Sequence, residues 1–476
     1  MSLRTYIQPI ILAIGISFML GGCGKKEAVP LLDPDAPTVV TLWHAYNAVA
    51  KTELDSLLLE FNETIGTEEG ILIDARGFGS SEDLEEALYA SANHVIGSDP
   101  LPNLFTSYPD NAYRLDQIVP LVNFDDYFTE QDFAKYRAEF LEEGVWDASG
   151  SHKMIPVAKS TELLYLNRTD WDKFSEETGA SEELLKTWEG LGKAAKMYYD
   201  WSGGNAFLGI NSYNDFAVLT AAQLGEAAFS TDGNGVFTYS RETAEKAWEV
   251  YYIPHIKGWF KSSVYNQDGI KSGRLMAYIG SSAGAGFFPA EVIKDDNTSY
   301  PVECEILPYP TFQNGTIYMT QRGADMAAFS SDKQHEYAAA RFLSWFTAPE
   351  QNIRFAVSTG YLPVEKKALE SVSRLTEEIT DKTSNTKAIE ASLKASLDAM
   401  NKHIFYVRKP FPDSYSKIVA FSSSLENQTV DDLKEMARRE KSGETKEELE
   451  ADYTGNDHFN CWYEALMKEM AGKHDE

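Results

Sequence analysis

The chain has 476 residues and a formal net charge of −30, which argues against nucleic acid as a partner because phosphates would be repelled. Hydrophobic residues at 43% and aromatics at 12% exclude a disordered chain and supply material for two or more packed domains. Such acidity marks a solvated outer surface.

The N-terminus reads as a targeting segment. Arg4 supplies a basic start, and residues 10–20 form an apolar run too short to span a bilayer comfortably. Leu20, Gly21 and Gly22 then precede Cys23, an ending that resembles the bacterial lipobox. The resemblance implies a signal peptide over 1–22, removed so that Cys23 becomes a lipidated N-terminus, with residues 23–37 as lipidated Cys and tether. An ordinary secretion signal with an incidental Cys is the alternative. No later stretch reaches the length of a membrane-spanning helix. The expected address is exported and lipid-anchored on the outer face of the bacterial cytoplasmic membrane.

Structure is expected to begin with the β-branched run at 38–43. Leu54, Leu57, Leu58 and Phe61 then give one apolar helix face, residues 70–75 a strand, and Ser80 or Ser81 a cap for an acid-rich helix. Residues 101–105 read as another strand. This alternation predicts a layered α/β domain with a largely parallel sheet, whose ligands gather where chain leaves the carboxyl ends of strands. Those loops are residues 43–46, 77–81 and 107–110.

A second α/β unit opens with a strand at 162–167 and a helix capped by Thr187. Residues 273–279 form a later strand, running into glycines and serines at 280–286. An aromatic-faced helix is expected over 331–346, and residues 347–350 carry a capping-box spacing with proline in the first turn. The charged stretch 430–452 keeps Leu433, Met436 and Leu449, so it reads as solvated helix. Cys304 and Cys461 can pair in an oxidising exterior, but two free buried thiols are expected.

Several segments, in order, resemble the family 1, carbohydrate-type extracellular solute-binding proteins that feed ABC importers. They are TLWH at 41–44, LYLN at 164–167 with Asp170 and Phe174, TWE at 187–189 with Ala194 and Ala195, GRLMA at 273–277, residues 342–351, and TGYLP at 359–363. The resemblance implies an α/β, two-lobe periplasmic-binding-protein-like fold with hinge strands and a central ligand cleft. It assigns 38–158 and 312–358 to an N-terminal lobe, and 159–311 and 359–476 to a C-terminal lobe. The chain is expected to cross between lobes near residues 158–160, 307–310 and 359–361. It implies a monomeric ABC-importer lipoprotein with a sugar or polyol-like solute and permease subunits as partners, no cofactor, and no enzymatic activity.

Sugars present C–H faces and hydroxyls, so their sites combine aromatic planes with fixed donors and acceptors. Strand ends and crossings nominate Trp43, His44, Ser81, Tyr108, Ser160, Ser281, Ser282, Gly323, Asp325 and Tyr361. Arg408 joins them from a likeness to the glycerol-phosphate branch of the family, since a guanidinium fork suits phosphate. That branch is the alternative solute class; Tyr108 stands where it places an acid, and Arg322 lies outside its pattern. A second class of function is a membrane-anchored serine hydrolase, because residues 280–284 fit G-x-S-x-G with Ser282 as nucleophile and His335, His403 or His458 as base. The eight histidines are scattered, without metal-ligand spacing.

Overall fold

The computed structural model describes residues 32–230, 233–261, 266–378 and 383–472. The signal segment, Cys23 and most of the tether lie outside the described residues. The chain opens with β1 (Thr38–His44), in which Val40, Leu42 and Trp43 are buried. The helix Ala48–Phe61 buries Leu54, Leu57, Leu58 and Phe61, its four apolar positions of helical spacing. β2 (Ile71–Gly77) and β3 (Leu104–Ser107) pair in parallel with β1, one on each side. β3 starts later than residues 101–105 suggested, Pro102 having no amide to give a ladder. Ser80 caps the helix Ser81–Ala92 by accepting the Asp83 N–H at 3.0 Å.

A first crossing leads to β4 (Glu162–Asn167), which is buried along its whole length. β5 (Ala206–Ile210), β6 (Phe260–Lys261) and β7 (Leu275–Ser281) follow. The start of β7 is displaced from residue 273 because Gly273 turns there with φ +69°. A hairpin of β8 (Glu291–Ile293) and β9 (Ser299–Pro301) leads to β10 (Cys304–Pro308). The second sheet has the order β10-β4-β7-β5-β6, with β4 antiparallel to both of its neighbours. Thr187 begins the helix Trp188–Ser202 as expected, its Oγ1 accepting the Gly190 N–H at 3.1 Å.

β11 (Tyr318–Thr320) and β12 (Asp325–Ala328) return the chain to the first lobe, where β12 completes the order β12-β3-β1-β2. The helices Lys333–Phe346 and Pro349–Thr359 cover that sheet. The capping box expected at 347–350 does not form. Ala348 is the N-cap, and Thr347 instead closes the preceding helix, its buried hydroxyl donating to the Leu343 carbonyl at 2.8 Å. Leu362, Val364, Leu369 and Val372 pack into the first lobe's core. β13 (Ile404–Tyr406) pairs in parallel with β11, after which the helices Ser414–Lys441, Lys446–Tyr453 and Asn456–Gly472 join the second lobe's core. Both described cysteines are free. Cys304 is half-buried, but Cys461 is exposed on the last helix, contrary to the expectation of two buried thiols.

The crossings lie side by side. Ser160 and Arg322 exchange backbone N–H to carbonyl bonds of 2.8 Å each way, and Lys159 and Leu362 do so at 3.0 and 2.6 Å. Gly323 has φ +89°, and a Cβ there would meet the Ala158 carbonyl oxygen at 2.2 Å, so this close approach requires glycine.

Candidate functional site

A cavity of about 440 Å³ lies between the lobes. The first lobe contributes Ser81, Glu82 and Glu85 from the start of one helix and Tyr108, Pro109, Asp110 and Asn111 from the start of another. These segments leave the carboxyl ends of β2 and β3, which flank β1 on opposite sides, so the strand order reverses here. The second lobe contributes Ser212, Asp215 and Val218 beside its own helix start, and Tyr415, Ile418 and Val419 from the helix Ser414–Lys441. Thr320, Gln321, Arg322, Tyr406 and Arg408 enter from the crossings, with Glu143 behind them. Another depression, lined by Arg241 to Glu249, is furnished by one stretch of helical chain and not by both lobes.

The polar groups of the cleft are organised around three cations. Lys159, fully buried, holds Glu143 at 2.8 Å and Asp325 at 2.7 Å, so one ammonium faces two carboxylates. Burial pushes the Glu143 carboxyl up to about 7, although Lys159 pulls it down. Arg322 reaches Glu162 at 2.6 Å and Asp215 at 2.7 Å through the same nitrogen. Glu162 is likewise raised to about 7 by burial, against the pull of Arg322. Arg408 pairs with Asp110 across the cleft. Within this lining the second oxygen of Asp110 and the Nε of Arg408 are buried and have no protein partner, leaving one acceptor and one donor free at the site. Three tyrosines, Tyr108, Tyr406 and Tyr415, add ring faces; Tyr415 also donates to Glu85 at 2.8 Å and so ties the lobes.

The nominated residues divide by position. Ser81, Tyr108 and Arg408 line the cavity. Asp325 sits behind it on Lys159, and Tyr361 lies half-buried between Tyr46 and Phe355, with ring centroids at 6.2 and 6.0 Å. Ser160 is buried and accepts from the Ser281 hydroxyl at 3.1 Å, which holds β7 to the first crossing. Ser282 is fully buried, and its Oγ accepts the Thr161 N–H at 3.2 Å. Trp43 packs on Phe78 in the first lobe's smaller core. His44 is buried, which lowers its pKa to about 4, and its Nδ1 accepts the Tyr46 N–H at 3.2 Å. Gly323 serves the approach of two crossings.

Sequence reasoning missed Glu143, Asp215, Gln321, Tyr406 and Tyr415 as cleft residues. Tyr406 and Arg408 alternate at a strand end, a signal that would have paired them. Asp215 stands in the first turn of a helix capped at Ser212, a place where chain often faces a cleft.

The profile of the bacterial extracellular solute-binding proteins matches residues 59–387. No curated protein matches the sequence significantly. Among solved structures, the fold is similar to the cyclic alpha-maltosyl-1,6-maltose binding protein from Arthrobacter globiformis, with a TM-score of 0.64 and 18% identity over 91% of this chain and 100% of that one. It is also similar to UgpB from Mycobacterium tuberculosis in complex with glycerophosphocholine, with a TM-score of 0.65 and 16% identity over 92% and 100%. MalE from Bdellovibrio bacteriovorus, bound to maltotriose, gives a TM-score of 0.60 and 15% identity over 90% and 100%. These likenesses establish the two-lobe fold. The chain belongs to the bacterial extracellular solute-binding proteins, a family of exported binders.

Proposed function

We infer that this extracellular solute-binding protein captures a sugar or related small polar solute between its lobes and delivers it to an ABC permease. The observation that carries this reading is the convergence of ring faces and hydrogen-bonding groups from both lobes on one cavity. Tyr108, Tyr406 and Tyr415 suit the C–H faces of a sugar, while Asp110, Asp215, Arg322 and Arg408 suit its hydroxyls. The maltose-type and maltotriose-bound structures of the same fold lend support. The protein is exported and, in this reading, held at the membrane by lipid on Cys23.

One feature weighs against a phosphorylated solute. Both cleft guanidiniums are already engaged by carboxylates, Arg408 by Asp110 and Arg322 by Glu162 and Asp215. A phosphate would have to displace these partners. The binding role is also preferred to hydrolysis. Ser282 is buried, and its hydroxyl is used by Thr161, while His335 and His458 lie against Asp332 and Asp432. None of these contacts joins a histidine to the serine.

The test is a thermal-shift screen of the purified protein against mono- and oligosaccharides, polyols and polyol phosphates. A solute at about a hundred times its dissociation constant adds about 2.7 kcal/mol to stability. A shift with neutral sugars supports the reading. A shift with polyol phosphates alone replaces it by the glycerol-phosphate alternative.

A further inference from the structure

We propose that the solute carries a positively charged group, an ammonium on a hydroxyl-bearing scaffold, received against the acidic wall that spans the cleft. This rests on the capture reading above and names the class of solute within it.

Five carboxylates line the cavity: Glu82, Glu85, Asp110, Glu143 and Asp215. Glu143 is held by Lys159, so the other four carboxylates face Arg322 and Arg408, the lining cations among the described residues, and the wall has two more negative groups than positive ones. The charges that contact this lining from behind bring no positive excess to offset it, since Lys159 is shared by Glu143 and Asp325. Lys159 and Asp325 pair with each other behind Glu143, Glu162 faces Arg322, and Arg114 stacks on Tyr415 with its guanidinium carbon 3.8 Å from the ring centre.

An excess of charge on an outer surface costs little, because water screens it. In a cleft that closes, the same charges lose their water, and an unpaired carboxylate then becomes expensive. A neutral sugar supplies hydroxyl donors but leaves the excess in place. A cation removes part of it. Asp110 is more than nine-tenths buried, faces the cavity, and keeps one oxygen without a protein partner even while the other holds Arg408. Glu85 has its pKa raised by burial, with Glu82 and Asp110 adding to the rise and Tyr415 and Arg114 only partly offsetting it. The rings of Tyr108 and Tyr406 line the same space and attract an ammonium through their negative faces, whereas Tyr415 already carries the Arg114 guanidinium on its ring. An anion meets the opposite situation at the carboxylates and ring faces, and finds only the unpartnered Nε of Arg408 in its favour.

The test uses matched pairs on the purified full chain at neutral pH and low salt. Glucosamine is set against glucose, deacetylated chitobiose against cellobiose and diacetylchitobiose, and choline against 3,3-dimethylbutanol, with glucose 6-phosphate as the anion. Calorimetry and melting shifts read the affinities. The expected result is at least one amine binding ten-fold or more tighter than its neutral partner, with the preference shrinking in half-molar salt. Glu82→Gln and Glu85→Gln should each reduce that preference three-fold or more while melting as the parent does. If neutral sugars bind as well as the amines, the capture reading stands and this inference falls. It falls also if glucose 6-phosphate binds best, or if both variants keep the full preference. If no member of the panel shifts the melt, this inference falls, and sugar capture falls with it unless the wider saccharide screen succeeds.

Discussion

Trp43 exposes only 6% of its surface and packs with Leu84, Leu88, Phe105 and Phe78. Trp43→Ala is expected to cost about 3–5 kcal/mol of stability, the usual range for emptying a large aromatic site. Affinity of the folded variant should change by less than two-fold, which calorimetry below its melting temperature checks; normal melting with lost binding would contradict this. Lys159 poses the converse case, a buried cation whose removal strands Glu143 and Asp325. Lys159→Met is expected to cost about 3–5 kcal/mol in urea unfolding. The same clusters set a pH dependence. Glu143 and Glu162 are both raised by burial from 4.5 to about 7, so the folded chain holds protons there that the unfolded chain releases. Their contribution to stability is complete below pH 4.5 and is lost as pH rises through 7. Urea unfolding should show lower stability at pH 8 than at pH 5, with the slope reduced in Glu162→Gln. A flat profile for the parent would remove this account.

Among the elements, the helix Ser414–Lys441 shows how a charged segment is anchored. Phe421, Leu425 and Met436 form its buried seam. Asp432, nearly buried, accepts from Tyr252 at 2.5 Å and Gln428 at 2.8 Å and lies 2.7 Å from His458 Nε2. Burial alone would raise this carboxyl, but the bonds from His458, Tyr252 and Gln428 outweigh it and hold it below the ordinary value. Its stabilisation is therefore present above the unfolded-state pKa and lost as pH falls through the lowered folded one, opposite to the hinge clusters. Asp432→Ala should lower stability by about 2–3 kcal/mol, since three donors lose one acceptor, and far-ultraviolet thermal melts at neutral pH would register it. The stretch 430–452, read as solvated helix, is broken between Lys441 and Lys446, where Thr445 and Glu448 form a reciprocal capping box that starts a new helix.

On the scale of the whole molecule, three crossings laced by paired backbone bonds form the axis between the lobes. Closure over a solute is then a population shift, because only the closed form lets both walls touch one ligand. A confirmed ligand should reduce the radius of gyration in small-angle scattering; an unchanged radius at saturation would count against closure. Cys23→Ser should release the protein into the medium or leave it unprocessed. Fractionation that finds the variant on the membrane at mature size would exclude the lipid anchor.

How much of this was written in the sequence depends on the range over which each feature acts. Apolar spacing over Leu54 to Phe61, the apolar run Leu163 to Leu166 within β4 and the Thr187 cap are local, and a few residues determine them because neighbours along the chain are also neighbours in space. Ordered family segments carried the two-lobe fold, and two of three nominated strand-end loops furnish cavity residues at Ser81 and Tyr108. Local pattern could not tell whether a buried position faces a core or a cleft. Trp43 near the end of β1 and Ser282 just past the end of β7 stand where a cleft residue would, yet tertiary packing turned Trp43 onto Phe78 and Ser282 onto Thr161. The charge clusters were decided at still longer range: Arg322 meets Glu162 and Asp215 from 160 and 107 residues away, and Arg408 meets Asp110 from 298. In an acidic chain every cation has many candidate partners, and only the fold brings particular ones within Coulombic reach and removes the water between them.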